Sequence, residues 1–248
     1  MIPVLKPADV DRLRAACLLV YKTQQVLRAA IRPGATTLEL DALAEATIRD
    51  AGALPAFKGY GGFPSTICAS INAEAVHGFP RTEPLQPGDI LSVDVGTELD
   101  GFFGDAAFTV CVGPTTPDTD RLLATTATAL DDAIAAARPG ARVSDISHAV
   151  ESRARAGGLS VVKEYGGHGI GRTLHADPHI PNYGRPGRGA VLKPGFALAI
   201  EPILSLGGPE VEVADDGWTA LTVDGSPVAH FEHTIVITDD GAEILTLP

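Results

Sequence analysis

Apolar residues at Val10, Leu13, Cys17, Val20, Leu27 and Ile31 recur at helical spacing, and this stripe predicts a helix that Arg32-Pro33-Gly34 stops. A second helix begins after Thr36, where Glu39 completes a capping box. Its apolar face is Leu40, Leu43, Ala44 and Ile48, and it ends at Gly52. Comparable signals predict helices at about 118–138 and 144–157. Runs of β-branched and apolar residues predict strands near 66–72, 90–97, 103–112, 197–204, 218–223 and 233–238. Asp100-Gly101 is a two-residue hairpin signal between the second and third of these. Such a turn sets Asp94 opposite Ala107 and makes Asp105 its diagonal neighbour on the same face. The pattern belongs to the α+β class.

The two halves of the chain echo one another. Arg32-Pro33-Gly34 returns as Arg138-Pro139-Gly140 at an offset of 106, and Tyr60-Gly61-Gly62 as Tyr165-Gly166-Gly167 at 105. Leu85 with Pro87-Gly88 returns as Leu192 with Pro194-Gly195 at 107. Pro-Gly turns recur by chance in a chain holding 27 Gly and 19 Pro, yet three matches in order favour a duplicated half. We expect one domain over 1–248 with an internal pseudo-twofold repeat, about 32–110 and 138–236. The last offset maps Asp94 onto Glu201, which puts an acid at equivalent strand positions in both halves.

Charge narrows the possible partners. The chain carries 31 acidic and 19 basic side chains for a net −12, and a nucleic-acid or anionic-membrane binder presents a basic footprint instead. Residues 1–35 run the other way, with six basic groups against Asp9 and Asp11. No run approaches the roughly 18 apolar residues of a membrane span, and the first residues lack a signal peptide's pattern, so the expected location is cytoplasmic. Cys17, Cys68 and Cys111 are odd in number and widely spaced, which argues against a disulfide framework or a four-cysteine zinc site.

The chemistry concentrates in acids that enter apolar strands. Asp94 and Asp105 crowd one face of the predicted hairpin, and without a cation one of them must stay protonated. Glu201 in Ala199-Ile200-Glu201-Pro202 and Glu232 in Phe231-Glu232-His233-Thr234 are further acids in such runs. Each alone could be a salt-bridge partner, but together they exceed the nearby strand cations. Imidazoles stand at His77, His168 and His175, with glycines around His168 that permit close backbone approach, while His148, His179 and His230 read as ordinary surface or core histidines. A phosphate loop at Gly166–Gly171 is excluded by the prolines that follow, since such a loop opens a helix. Asp94, Asp105, His168, Glu201 and Glu232 form an oxygen-rich donor set that suits two divalent ions such as Mn(II), Fe(II) or Co(II). Metal-assisted hydrolysis is the reaction class that follows.

In order and spacing, Ser70-Ile71-Asn72, His77-Gly78, Asp94, Asp105, Gly167-His168-Gly169-Ile170-Gly171, His175, Ile200-Glu201-Pro202 and Glu232-His233-Thr234-Ile235-Val236 resemble the type I methionine aminopeptidases. The resemblance spans essentially the whole chain. It implies a pita-bread fold, with two pseudo-symmetric halves whose antiparallel sheets cradle a dimetal site and whose helices pack outside. It implies Asp94, Asp105, His168, Glu201 and Glu232 as ligands of two divalent ions, with Glu201 also handling the proton of the attacking water. It implies His175 beside the scissile carbonyl, His77 beside the departing amide nitrogen, and a methionine pocket of Tyr60, Phe63, Cys68, Leu174 and Trp218. The chain departs from many bacterial members in having Gly61 and Gly62-Phe63-Pro64-Ser65, where they carry a histidine and a lysine, and Leu174, where a phenylalanine is common.

The activity so implied is removal of the initiator methionine from nascent chains whose second residue is small. Two alternatives stand beside it: a proline-specific aminopeptidase of the same fold, whose usual extra N-terminal domain has no room here, and a non-catalytic peptide-binding relative, which would be expected to lose ligands. The implied partners are the nascent polypeptide N-terminus and, through the basic first helix, the ribosome. Segment 205–217 offers no Lys or Arg for such a contact. With no interface signature, the expected state is a monomer.

Overall fold

A computed structural model describes residues 2–248. Four helices, α1 (Pro7–Ala30), α2 (Thr37–Asp50), α3 (Pro117–Ala136) and α4 (Val143–Ala156), lie at the positions their apolar stripes predict. At the start of α2 the capping box is formed, since Thr36 accepts from the Glu39 amide while the Glu39 carboxylate accepts from the Thr36 amide. Helix α1 packs on the long hairpin of strands Ile90–Leu99 and Phe102–Cys111. Gly104 faces this contact: a Cβ there would meet the Cys17 amide nitrogen at 2.7 Å, so glycine sets the close approach of strand to helix.

The hairpin turns at Asp100 and Gly101, with φ values of 51° and 74°, the left-handed pair that a two-residue turn requires. Its register pairs Asp94 with Ala107 and Gly96 with Asp105, as the turn signal implied. Strand Ile67–Ile71 pairs with the other edge of Ile90–Leu99 and sets Cys68 opposite Asp94. The second half contributes a five-stranded sheet in the order Ala242–Ile244, His233–Ile237, Ala197–Ile200, Gly166–Gly169, Ala176–Pro181.

One predicted strand divides. The run 197–204 is two strands, Ala197–Ile200 and Ile203–Ser205, in different sheets. Pro202 has no amide proton to continue the ladder, so the chain changes sheets at Glu201-Pro202. Its antiparallel partner breaks at the matching place, because Ile200 pairs with His233 and Ile203 with His230, leaving Phe231 and Glu232 between. The two glutamates therefore sit at facing gaps, free of ladder geometry.

The turns that echo one another in sequence make the same hydrogen bonds. Gly34 N–H donates to the Leu85 carbonyl (2.9 Å) and Gly140 N–H to that of Leu192 (3.0 Å). Leu85 N–H donates to Ala35 and Leu192 N–H to Ala141, both at 2.8 Å. Apolar cores lie under each half, one built on α3 and α4, the other on α1 and α2, with Phe231 packed against both.

Candidate metal centre and active site

The strand Phe102–Cys111 meets the segment 230–234 edge to edge, and that seam carries the site. Thr109 Oγ1 donates to the His230 carbonyl (2.7 Å) and accepts from the His230 amide (2.8 Å). Glu232 N–H donates to the Ala107 carbonyl (2.9 Å), and Thr234 Oγ1 donates to the Asp105 carbonyl (2.7 Å). These bonds place Asp105 and Glu232, 3% and 2% exposed, side by side across the seam.

His168 approaches them from the five-stranded sheet. Its strand is squeezed between neighbours: a Cβ at Gly167 would lie 2.3 Å from the Ala199 carbonyl oxygen, and one at Gly169 2.0 Å from that of Asp177. Only glycine on both sides lets the imidazole reach this depth. Nδ1 of His168 lies 3.0 Å from the Gly169 carbonyl, which can only accept, so the proton is on Nδ1 and the Nε2 lone pair is free. That Nε2 stands 3.6 Å from Glu201 Oε1 and 3.9 Å from Asp105 Oδ2. Donor atoms of Asp105, His168 and Glu232 all lie within 4.8 Å of one another, the spacing of groups that share a cation.

The electrostatics agree with a cation site. Burial, then the neighbouring carboxylates, push the Asp105 and Glu232 pKa values well above the usual range. Burial first and the Asp94 charge second raise Glu201 to about 8, and burial raises Asp94 to about 7. His168 falls to about 4 through burial, so it is a neutral ligand at pH 7. Asp94 Oδ1, Asp105 Oδ1 and Glu232 Oε1 are buried without any hydrogen-bond partner, and no Lys or Arg among the described residues lines the cavity. Four clustered acids, three of them with an orphaned oxygen, together with the free Nε2 of His168, fit divalent metal.

A cavity of about 290 Å³ opens beside this centre, and every site residue expected from the sequence lines it: Tyr60, Phe63, Cys68, His77, Asp94, Asp105, His168, Leu174, His175, Glu201, Trp218 and Glu232. Phe63, Cys68 and Leu174 are buried, and Phe63 meets Trp218 edge to face at 5.2 Å. The Trp218 amide is held by Asp216 Oδ1 at 2.8 Å, in a loop turned by Asp216. His77 has φ +60°, an uncommon conformation for a residue with a Cβ, and its ring stands edge-on to Tyr165 (5.2 Å). Burial and then the His175 charge lower its pKa to about 4. His175 stands at the mouth, its ring 4.3 Å from that of His168 and its Nδ1 2.9 Å from the Tyr60 hydroxyl.

His230 corrects its reading as an ordinary core histidine. It is 3% exposed, its Nε2 has no hydrogen-bond partner, and that atom lies 3.6 Å from Glu201 Oε2 and 3.9 Å from Glu232 Oε2. Its spacing of two from Glu232 is visible in the sequence, but residues 231–232 lie between strands, so alternation alone does not predict that the two share a face. His179 also lines the cavity, at its exposed rim, whereas His148 is a surface residue of α4, as expected. Phe57 and Tyr165 were likewise not singled out for the site, and they join it from loops that carry no periodic signal.

Residues 11–239 match metallopeptidase family M24. The chain is 47% identical over 246 residues to methionine aminopeptidase 1 of Bacillus subtilis, covering 99% of each. Its structure superposes on the crystal structure of methionine aminopeptidase from Thermotoga maritima with a TM-score of 0.98 at 45% identity, covering 100% of both chains. Prolidase from Pyrococcus furiosus shares the fold alone, with a TM-score of 0.81 at 22% identity over 99% of this chain and 65% of that one. The architecture is the pita-bread fold expected above. With a family match over residues 11–239 and a structural superposition over the whole chain behind it, the chain belongs to metallopeptidase family M24, among its methionine aminopeptidases.

Proposed function

We infer that this protein is a metal-dependent aminopeptidase that removes the initiator methionine from new polypeptides whose second residue is small. The carrying observation is the convergence of an orphaned, oxygen-rich donor set and a small apolar pocket on one cavity. Asp94, Asp105, His168, Glu201 and Glu232 would hold two divalent ions, Co(II), Mn(II) or Fe(II), which when bound supply water activation and polarisation of the scissile carbonyl.

The chain's own residues do the rest. Phe63, Cys68, Leu174 and Trp218 receive the thioether side chain in an apolar, polarisable setting, with Tyr60 at the mouth. Glu201, at the carboxylate-rich end of the cavity, takes a proton from the attacking water and returns it to the leaving amide nitrogen. His77, neutral and fixed by its backbone, lies beside that nitrogen. His175 donates a hydrogen bond to the oxygen on which negative charge develops. The carboxylate-rich end of the cavity favours a free α-amino group, which restricts cleavage to one terminal residue.

The matching hydrogen bonds at Gly34 and Gly140 support a single catalytic domain over 1–248 built from two related halves, about 32–110 and 138–236. The substrate places the enzyme in the cytoplasm, and it acts as a monomer. Contact with the ribosome falls to the exposed basic residues of α1, Arg12 and Lys22, whereas Arg14 is engaged by Glu243. Unchanged ribosome co-sedimentation after neutralising Arg12 and Lys22 would remove that contact.

The test is reconstitution. Metal-stripped protein should regain cleavage of a Met-Ala-Ser peptide on addition of Co(II), Mn(II) or Fe(II), and Glu201→Gln or His168→Ala should nearly abolish it. Preference for x-Pro peptides would overturn the specificity, and two bound ions without hydrolysis of any peptide would favour a binding role.

A further inference from the structure

Tyr60 is an unusual pocket residue, because it is 45% exposed yet closely held. It lies on the turn Tyr60–Gly62, where its amide donates to the Phe57 carbonyl (2.9 Å) and its carbonyl accepts from Phe63 (3.0 Å). Gly59, Gly61 and Gly62 around it all adopt φ between 57° and 93°, so glycine conformations shape the turn that carries it. A purely apolar wall has no use for a hydroxyl bonded to a side chain at the mouth. This hydroxyl lies 2.9 Å from Nδ1 of His175, with the two rings 5.2 Å apart and tilted by 42°.

The direction of that hydrogen bond has a chemical consequence. A phenol donates more readily than it accepts, because its lone pairs are delocalised into the ring, and a neutral imidazole offers one free lone pair. An O–H···Nδ1 bond leaves the imidazole proton on Nε2, the nitrogen on the far side of the ring. The same ring rests against His168 at 4.3 Å, so its tilt is held from two sides.

We propose that Tyr60 is a positioning residue that locks His175 in its Nε2–H tautomer, so that His175 offers a donor to the oxyanion and not a competing lone pair. The assignment rests on the proposed aminopeptidase activity and adds a polar duty to a residue expected only to line the methionine pocket. Without the hydroxyl, the ring can flip or change tautomer, and a fraction of molecules then faces the developing charge with a bare nitrogen.

Tyr60→Phe keeps the aromatic surface and removes only the hydroxyl. Long-range ¹H–¹⁵N spectra of the Zn(II)-loaded protein, with the His175 signals assigned by their loss in His175→Gln, should show Nε2 protonated in the wild type. In Tyr60→Phe the two nitrogens should move toward the other tautomer or an average of both. With a Met-Ala-Ser peptide and Co(II) enzyme, kcat should fall about tenfold, the worth of one positioned neutral hydrogen bond, with KM nearly unchanged. The same tautomer in both proteins, or a rise in KM with kcat intact, would overturn the proposal and leave Tyr60 as pocket wall. A wild-type protein inert toward every Met-peptide would instead defeat the functional reading, and the tautomer comparison would still decide the Tyr60–His175 assignment.

Discussion

Thr109 is the polar stitch between the two halves, and its loss should be felt in both stability and metal binding. Its hydroxyl makes three bonds at 3% exposure: it donates to the His230 carbonyl (2.7 Å), accepts from the His230 amide (2.8 Å) and accepts from Ser92 Oγ (2.8 Å). Thr109→Val keeps the shape and removes all three, leaving a backbone N–H and C=O buried without partners. At about 1–3 kcal/mol for each unsatisfied group, less under 1 kcal/mol recovered by the new methyl, the loss is about 2–5 kcal/mol. For a chain of this size that lowers the melting temperature by roughly 5–15 °C. Thr109→Ser, which keeps the hydroxyl and gives up one methyl, should cost only about 1 kcal/mol.

Because His230 and Glu232 lie on the segment that Thr109 anchors, the valine variant should also bind metal more weakly. Thermal unfolding followed by circular dichroism, paired with calorimetric metal titration, separates the two effects. If the valine and serine variants melted together, the hydroxyl's bonds would carry no stability and Thr109 would not hold the two segments together.

Stripping metal with a chelator should lower the melting temperature, and adding Co(II) should restore both stability and peptide cleavage, because binding to the folded state alone stabilises it; no change in melting on stripping would deny a metal site in the folded protein. His230→Ala should weaken metal affinity in calorimetry, through loss of the buried nitrogen 3.6 Å from Glu201, while leaving the apolar pocket and KM largely unchanged; an unaltered affinity would return His230 to a packing role. Gly61→His should destabilise by about 1–2 kcal/mol, since Gly61 has φ +57° and a Cβ there would stand 3.3 Å from the Trp218 ring. The same variant should change KM more than kcat, and melting with steady-state kinetics checks both.

The hairpin was legible because a local signal fixes a non-local pair. Asp100-Gly101 sets the register, and the register alone brings Asp94 and Asp105 onto one face. The strand over 197–204 was misjudged because hydrophobic pattern reads burial, and Ile200 and Ile203 are both buried. What it does not read is which sheet a residue joins, and Pro202 transfers the chain from one sheet to another. His230 was missed for a related reason: an isolated histidine in an apolar run has the same local signature whether its nitrogen meets a carbonyl or two carboxylates. Only the facing gap at Glu201 and Glu232 distinguishes the two cases, and that gap is a tertiary fact.

The charge cluster works against the fold that holds it. Asp94 has a buried oxygen with no partner, and burial alone raises its pKa to about 7, so at pH 8 much of it is an ionised group out of water beside the Asp105 carboxyl. Such a group destabilises the protein unless a cation offsets it. A carboxylate that served the fold, with its oxygens satisfied by protein donors, would behave otherwise. The two cases predict opposite signs. Asp94→Asn, near in shape and uncharged, should raise the melting temperature of the metal-stripped protein at pH 8 and lower that of the metal-loaded protein, where a ligand has been lost. A fall in both states for Asp94→Asn would mean that the carboxylate serves the fold and that this cluster does not exist for its cation.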